Sequence, residues 1–137
     1  MNKVAYELDF IHPDYEKEFN RFIKKKKFKK LPNQIVKLMD DFEEGVLGGK
    51  VIAHSEDPAY DVYKVRLANE DTQAGKSNGY RVIYLARHIE KTVAFLYIYY
   101  KKEQETIADE HVKALVDGYF LHLMKENDDT EEFPPDN

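Results

Sequence analysis

The sequence predicts an α+β domain in which a helical hairpin and a C-terminal helix pack against a small, mostly antiparallel, twisted sheet. Three observations lead there. Between Val62 and Lys102 lie three runs rich in β-branched and aromatic residues, 62–67, 79–84 and 92–100, separated by turn-type residues. Ahead of them two stretches repeat apolar residues at helical spacing, and another does so behind them. The 137-residue chain shows no internal repeat and no second domain, so one core is expected, over residues 1–125. The expected order is β-α-α-β-β-β-α, with the helices on one side of the sheet.

Taken in order, Val4, Tyr6, Leu8 and Phe10 alternate with polar or small residues, as a half-buried strand does. His12-Pro13-Asp14 ends it, because proline cannot donate to a ladder. Pro13 suits the first turn of a helix, and Asp14, Glu16 and Glu18 complement its N-terminal dipole. Tyr15, Phe19, Phe22 and Ile23 then share one face of a helix running to about Lys27. Lys24 to Lys30 sets six lysines around Phe28, which reads first as a solvated helix end favoured by the C-terminal dipole. If the protein binds RNA, the run becomes an auxiliary phosphate contact.

Leu31-Pro32 restarts the chain, and Leu31, Ile35, Leu38, Met39 and Phe42 outline a second helix to about Glu44, broken by Gly45, Gly48 and Gly49. Residues 50–60 read as loop with a brief extended piece at Val51-Ile52-Ala53. After the three strands, Ile107, His111, Ala114, Leu115, Phe120, Leu121 and Met124 form the stripe of a last helix, 107–125, weakened in its middle by Gly118.

Hydrophobic residues at 42% exclude a generally disordered chain. The absence of cysteine excludes disulfides, thiolate metal sites and a cysteine nucleophile. Met1 to Phe10 has no apolar signal region, and no stretch reaches the roughly 18 apolar residues of a membrane span. A cytoplasmic protein with no membrane contact is expected. The formal charge of −5 is unevenly placed: residues 126–137 hold six acids and no Lys or Arg, leaving the remainder close to neutral. That acidic segment with Pro134-Pro135 is expected to be a disordered terminus.

Candidate chemistry narrows quickly. The five histidines include no i, i+4 pair on one helix and no His-Glu-x-x-His, so no metal and no cofactor is expected. Ser55 and Ser77 lack a nucleophile-elbow setting. Gly75-Lys76-Ser77 ends like a phosphate-binding loop, but lacks the first glycine and precedes a strand. Most carboxylates sit in charge runs that read as solvated faces. What remains is cationic: alternation sets Tyr63, Val65 and Leu67 on one face of the first motif strand, with Lys64 and Arg66 on the other. A meander brings Arg81, Lys101 and Lys102 close to them. Such a face is either a salt-bridged exterior or an anion site.

Three quoted segments carry a resemblance. Asp61-Val62-Tyr63-Lys64-Val65-Arg66-Leu67, Gly79-Tyr80-Arg81-Val82-Ile83-Tyr84 and Val93 to Tyr100 with Lys101-Lys102-Glu103 resemble the RelE/HigB family of bacterial toxins. The insert Gly75-Lys76-Ser77-Asn78 is similar to a HigB-like branch. The resemblance spans about Val4 to His122 and implies the toxin of a type II toxin–antitoxin pair. It implies a metal-independent endoribonuclease that cuts mRNA on the ribosome, inhibited by a cognate antitoxin that often carries a helix-turn-helix.

Carried over by position, Lys64 and Arg66 match the cations of the first motif strand, Arg81 the arginine after Gly-Tyr, and Lys102 a position where arginine is common. Crowded by cations, Lys64 is the expected base, Arg81 the phosphate clamp and Lys102 the acid or charge stabiliser. Tyr97, Tyr99 or Tyr100 stack on a base, and Lys76 and Lys101 complete the substrate contacts. Where members carry a C-terminal tyrosine, this chain has Thr106-Ile107-Ala108. The alternatives are a ParE-like toxin aimed at DNA gyrase and a catalytically inactive RelE-like protein-binding module.

Overall fold

The central strand has almost no polar face, and this decides how the layers stack. Tyr80 to Ala86 is buried throughout, so helices must cover the sheet on both sides. The computed structural model describes residues 4–9, 12–57, 59–72 and 75–130. In order they form β1 (Glu7–Leu8), α1 (Pro13–Ile23), α2 (Leu31–Glu43), β2 (Lys50–His54), β3 (Tyr60–Leu67), β4 (Tyr80–Arg87), β5 (Thr92–Tyr100) and α3 (Asp109–Thr130). A short 3₁₀ turn, Lys76–Asn78, precedes β4.

The sheet runs β1-β5-β4-β3-β2, antiparallel except where β1 lies parallel to β5. The expected α+β class and order of elements are present. The piece expected at 51–53 is a five-residue edge strand, paired with β3 from Lys50↔Lys64 to His54↔Asp61. The first strand is shorter than its alternation suggested, and Phe10 lies outside the described residues.

The helices are not on one side of the sheet as expected. On the first face, Phe19, Phe28, Leu31, Ile35, Leu38 and Phe42 of the helical hairpin meet Tyr80, Val82, Tyr84, Phe95 and Ile98. On the second, Ile107, Val112, Leu115, Val116 and Tyr119 meet Val62, Ile83, Leu85, Leu96 and Tyr99. The reason is readable in β4 and β5, whose apolar residues occupy both parities of the pleat.

Local chemistry sets the helix ends. His12 caps α1 through Nδ1, which accepts from the Tyr15 amide at 3.4 Å, and Pro13 follows it. The helix stops at Ile23, four residues earlier than its charge pattern suggested, because Phe28 must turn inward. Phe28 is buried edge-on to Tyr80 and Tyr100, with ring centroids 4.9 and 5.2 Å away. The lysines around it become a turn, and the Lys25 and Lys27 ammoniums sit 5.9 and 5.1 Å from its ring. Gly45, with φ of 78°, ends α2 in the left-handed region.

Gly118 has a positive reason to be in α3. A Cβ there would strike the Tyr15 hydroxyl, which donates to the Leu115 carbonyl at 2.7 Å and ties α1 to α3. The backbone of α3 stays helical through residues 126–130, and residues 131–137 lie outside those described. No helix among the described residues is long and apolar enough to cross a membrane.

Candidate functional site

Register assembles the cations. Arg66, Arg81 and Tyr99 stand opposite one another across β3, β4 and β5, forming one row. The next row on the same face is Lys64, Ile83 and Tyr97, and β2 adds Lys50 opposite Lys64. Neighbouring strands lie about 4.8 Å apart, so these side chains share one small patch.

The electrostatics follow. The Lys64 ammonium is held below the ordinary lysine value, first by burial and then by Arg66, Arg81, Lys50 and Lys101. The four charges that lower it are all cations. A lysine in such a place is closer to neutrality than a surface lysine, which a proton acceptor requires. Sequence reasoning anticipated the direction and the crowding, but not the larger part played by burial.

Arg81 is only 3% exposed. Its Nη1 donates to the carbonyls of Lys76 at 2.8 Å and Tyr80 at 3.2 Å, and its Nη2 to Ser77 at 3.3 Å. It therefore latches the 3₁₀ turn onto β4. Burial and Arg66 both depress its affinity for a proton, with Tyr99 opposing. Gly79 makes the close approach possible, since a Cβ there would run into the Leu67 carbonyl. Arg66, directly opposite, is exposed.

The aromatic expectations separate. Tyr99 is buried on the cationic face, its hydroxyl in a side-chain hydrogen bond with Thr106, and burial raises its pKa above the ordinary phenol value. Tyr97 is half-buried and donates to Gln104 Oε1 at 2.8 Å, with the His111 ring edge-on at 4.8 Å. Tyr100 faces the opposite side, where its hydroxyl accepts from Asn69 Nδ2 at 3.0 Å. Lys101 acts on Lys64 from the end of β5, whereas Lys102 stands exposed on the following turn. Lys76 is exposed on the 3₁₀ turn.

Sequence reasoning missed four contributors. Lys50 opens β2, for which the sequence indicates only the brief extended piece at Val51-Ile52-Ala53. Thr106 and Gln104 gave no local signal, because only the fold of the 101–108 segment brings them to Tyr99 and Tyr97. Lys27 Nζ reaches Glu103 Oε2 at 2.5 Å, which sets the lysine turn beside the end of β5. Among the described residues no group of three or more His, Cys, Asp or Glu side chains is placed to hold a metal.

Comparison with known proteins adds a family. A family model described as the RelE toxin of the RelE/RelB toxin–antitoxin system matches residues 15–127. No curated protein and no solved structure matches the chain. The matched span runs from the first turn of α1 almost to the end of α3 and takes in the whole cationic face. With that span covering most of its length, the chain belongs to the RelE toxin family, the toxin half of a toxin–antitoxin pair whose partner is a cognate antitoxin.

Proposed function

We propose that this toxin is a metal-independent endoribonuclease that cuts mRNA presented on the ribosome. The observation that supports it is the patch around Lys64: a lysine whose pKa is lowered by burial and by Arg66, Arg81, Lys50 and Lys101 around it. Such a patch attracts a phosphodiester and penalises its own emptiness.

In this reading neutral Lys64 takes the proton of a ribose 2′-hydroxyl, and the 2′-oxygen bonds to the adjacent phosphorus. Arg66 and Arg81 stabilise the charge on the non-bridging oxygens. Lys102 gives a proton to the departing 5′-oxygen as the P–O5′ bond breaks. The products are a 2′,3′-cyclic phosphate and a free 5′-hydroxyl. Tyr97 is the stacking surface, Tyr99 holds the arginine row, and Lys76 and Lys101 guide the flanking phosphates.

The second reading is a binding-only member, favoured by the three carbonyls that already engage Arg81 and by the burial of Tyr99. Inducible expression in a bacterial host followed by primer extension on abundant mRNAs separates the two. Growth arrest with new mRNA ends, both lost in Arg66→Ala, is the expected result. Arrest without new ends would favour a gyrase target, and no arrest from folded protein the binding-only reading.

A further inference from the structure

Along the second face of β3 burial falls away in steps. Val62 is fully buried in the layer that α3 covers, Lys64 is half-buried and Arg66 is exposed. The β2 ladder ends at the Lys50↔Lys64 pair. Lys64 therefore stands where the apolar layer stops and solvent begins. Its side chain is partly desolvated yet open to a small solute.

Other lysines are held differently. Lys27 and Lys113 pair with Glu103 and Asp117, while Lys24 and Lys37 are exposed. Around Lys64 stand Lys50 across the β2 ladder, Arg66 two residues along, Arg81 on β4 and Lys101 just past β5. Burial and these four charges hold the ammonium below the ordinary lysine value, which raises the share of neutral amine. A desolvated lysine beside other cations is an activated nucleophile. The cations that activate it also favour an incoming anion.

We propose that Lys64 is an acylation site for small acyl phosphates, with Lys50, Arg66 and Lys101 as the cradle for the donor's phosphate. The neutral Nζ adds to the acyl carbon, the bond from that carbon to the phosphate oxygen breaks, and inorganic phosphate leaves with the bonding electrons. The nitrogen gives up one proton to water, and the product is a neutral amide. The cations that hold the donor also stabilise the departing phosphate, so binding and activation fall at one place. An uncharged acyl donor meets the nucleophile but gains nothing from the cradle. Acylation removes the charge of Lys64 and its capacity to take a proton. Only the resulting loss of cleavage rests on the ribonuclease reading; the modification itself does not.

The full-length chain is incubated with acetyl phosphate, and acetylation at each lysine is followed over time by peptide mass spectrometry. Lys64 is expected to react about tenfold faster than Lys24 or Lys37. Added inorganic phosphate should slow Lys64 and leave the two exposed lysines unchanged. With an uncharged acetyl ester of N-hydroxysuccinimide the advantage of Lys64 should shrink, and in Arg66→Ala it should shrink with acetyl phosphate. A Lys64 rate no greater than that of Lys37, no protection by phosphate, or an equal advantage with the uncharged ester would overturn the site.

Cleavage of RNA by the acetylated protein supplies the second arm. Activity is expected to fall in proportion to the fraction of Lys64 acetylated. Full activity at full acetylation would refute Lys64 as the base and leave the acylation site standing. Cleavage that depends on Lys64, from a protein that acetyl phosphate does not modify there, would do the reverse.

Discussion

Arg66 and Arg81 stand directly opposite one another on β3 and β4, yet one is exposed and the other is 3% exposed and bound to carbonyls. The two arginines of the site therefore carry different loads. Arg66 is free to meet an anion, while Arg81 also holds the turn that carries Lys76.

Substitution separates these loads. Arg81→Ala removes the guanidinium donor from the carbonyls of Lys76, Tyr80 and Ser77 and should cost about 1–3 kcal/mol of stability. Arg66→Ala should change stability by no more than about 0.5 kcal/mol, as exposed substitutions usually do. Urea denaturation of both variants checks this, and equal midpoints would dismiss the latch.

Lys64 ties stability to pH with a defined sign. Its folded pKa is lowered while the unfolded value is the ordinary 10.5. Between those values the unfolded chain binds a proton that the folded chain does not, so stability rises with pH. Below the folded value the cost of the half-buried ammonium is fully present. Lys64→Met should therefore raise Tm at pH 7, by roughly 2 °C, and the gain should shrink by pH 10. Scanning calorimetry at the two pH values decides it; a gain that persists at pH 10 would point to packing alone.

The same shift governs the proposed activity. If neutral Lys64 is the base, the cleavage rate should climb with pH through a pKa below 10.5. Lys64→Arg should flatten that limb and slow cleavage at least about 100-fold. A limb that survives the substitution would assign the base elsewhere.

Gly118→Ala tests the contact between α1 and α3. Helix propensity alone favours alanine by about 1 kcal/mol. The clash with the Tyr15 hydroxyl should reverse that sign, for a net loss of about 1–2 kcal/mol. In a Tyr15→Phe background the hydroxyl is gone, and most of the loss should disappear. A double-mutant cycle showing no coupling would refute the contact.

The lysine turn bears on RNA affinity rather than chemistry. Glutamine at Lys24, Lys25 and Lys26 should weaken binding of single-stranded RNA uniformly across sequences. Each cation in phosphate contact should reduce the slope of log affinity against log salt by about 0.7. Lys27, already paired with Glu103 at 2.5 Å, should contribute less. Binding isotherms between 50 and 200 mM salt provide the check, and an unchanged slope would restore the turn to a solvated helix end.

Much of this was legible in one dimension. Tyr15, Phe19 and Phe22 repeat at helical spacing, and the alternation of Lys64 and Arg66 with Val65 sets those cations on one face, because both periods are local properties of the backbone. The grouping of Arg81 with them followed from a meander of short strands. What stayed hidden had no local cause. Phe28 ends α1 early because its burial against Tyr80 and Tyr100 outweighs helix propensity, and those two rings come from residues far along the chain. The second helical layer follows from β4, whose two apolar faces each need a cover that sequence distance does not reveal.

By itself, then, the sequence determined the three helices, the three central strands, their order and the sign of the charge on one strand face. Tertiary structure alone decided that Lys50 stands opposite Lys64 and that Arg81 is spent partly on carbonyls. The physical reason is that register, burial and hydrogen-bond pairing are properties of segments brought together. Hydrophobic burial sets that meeting, and no single segment encodes it.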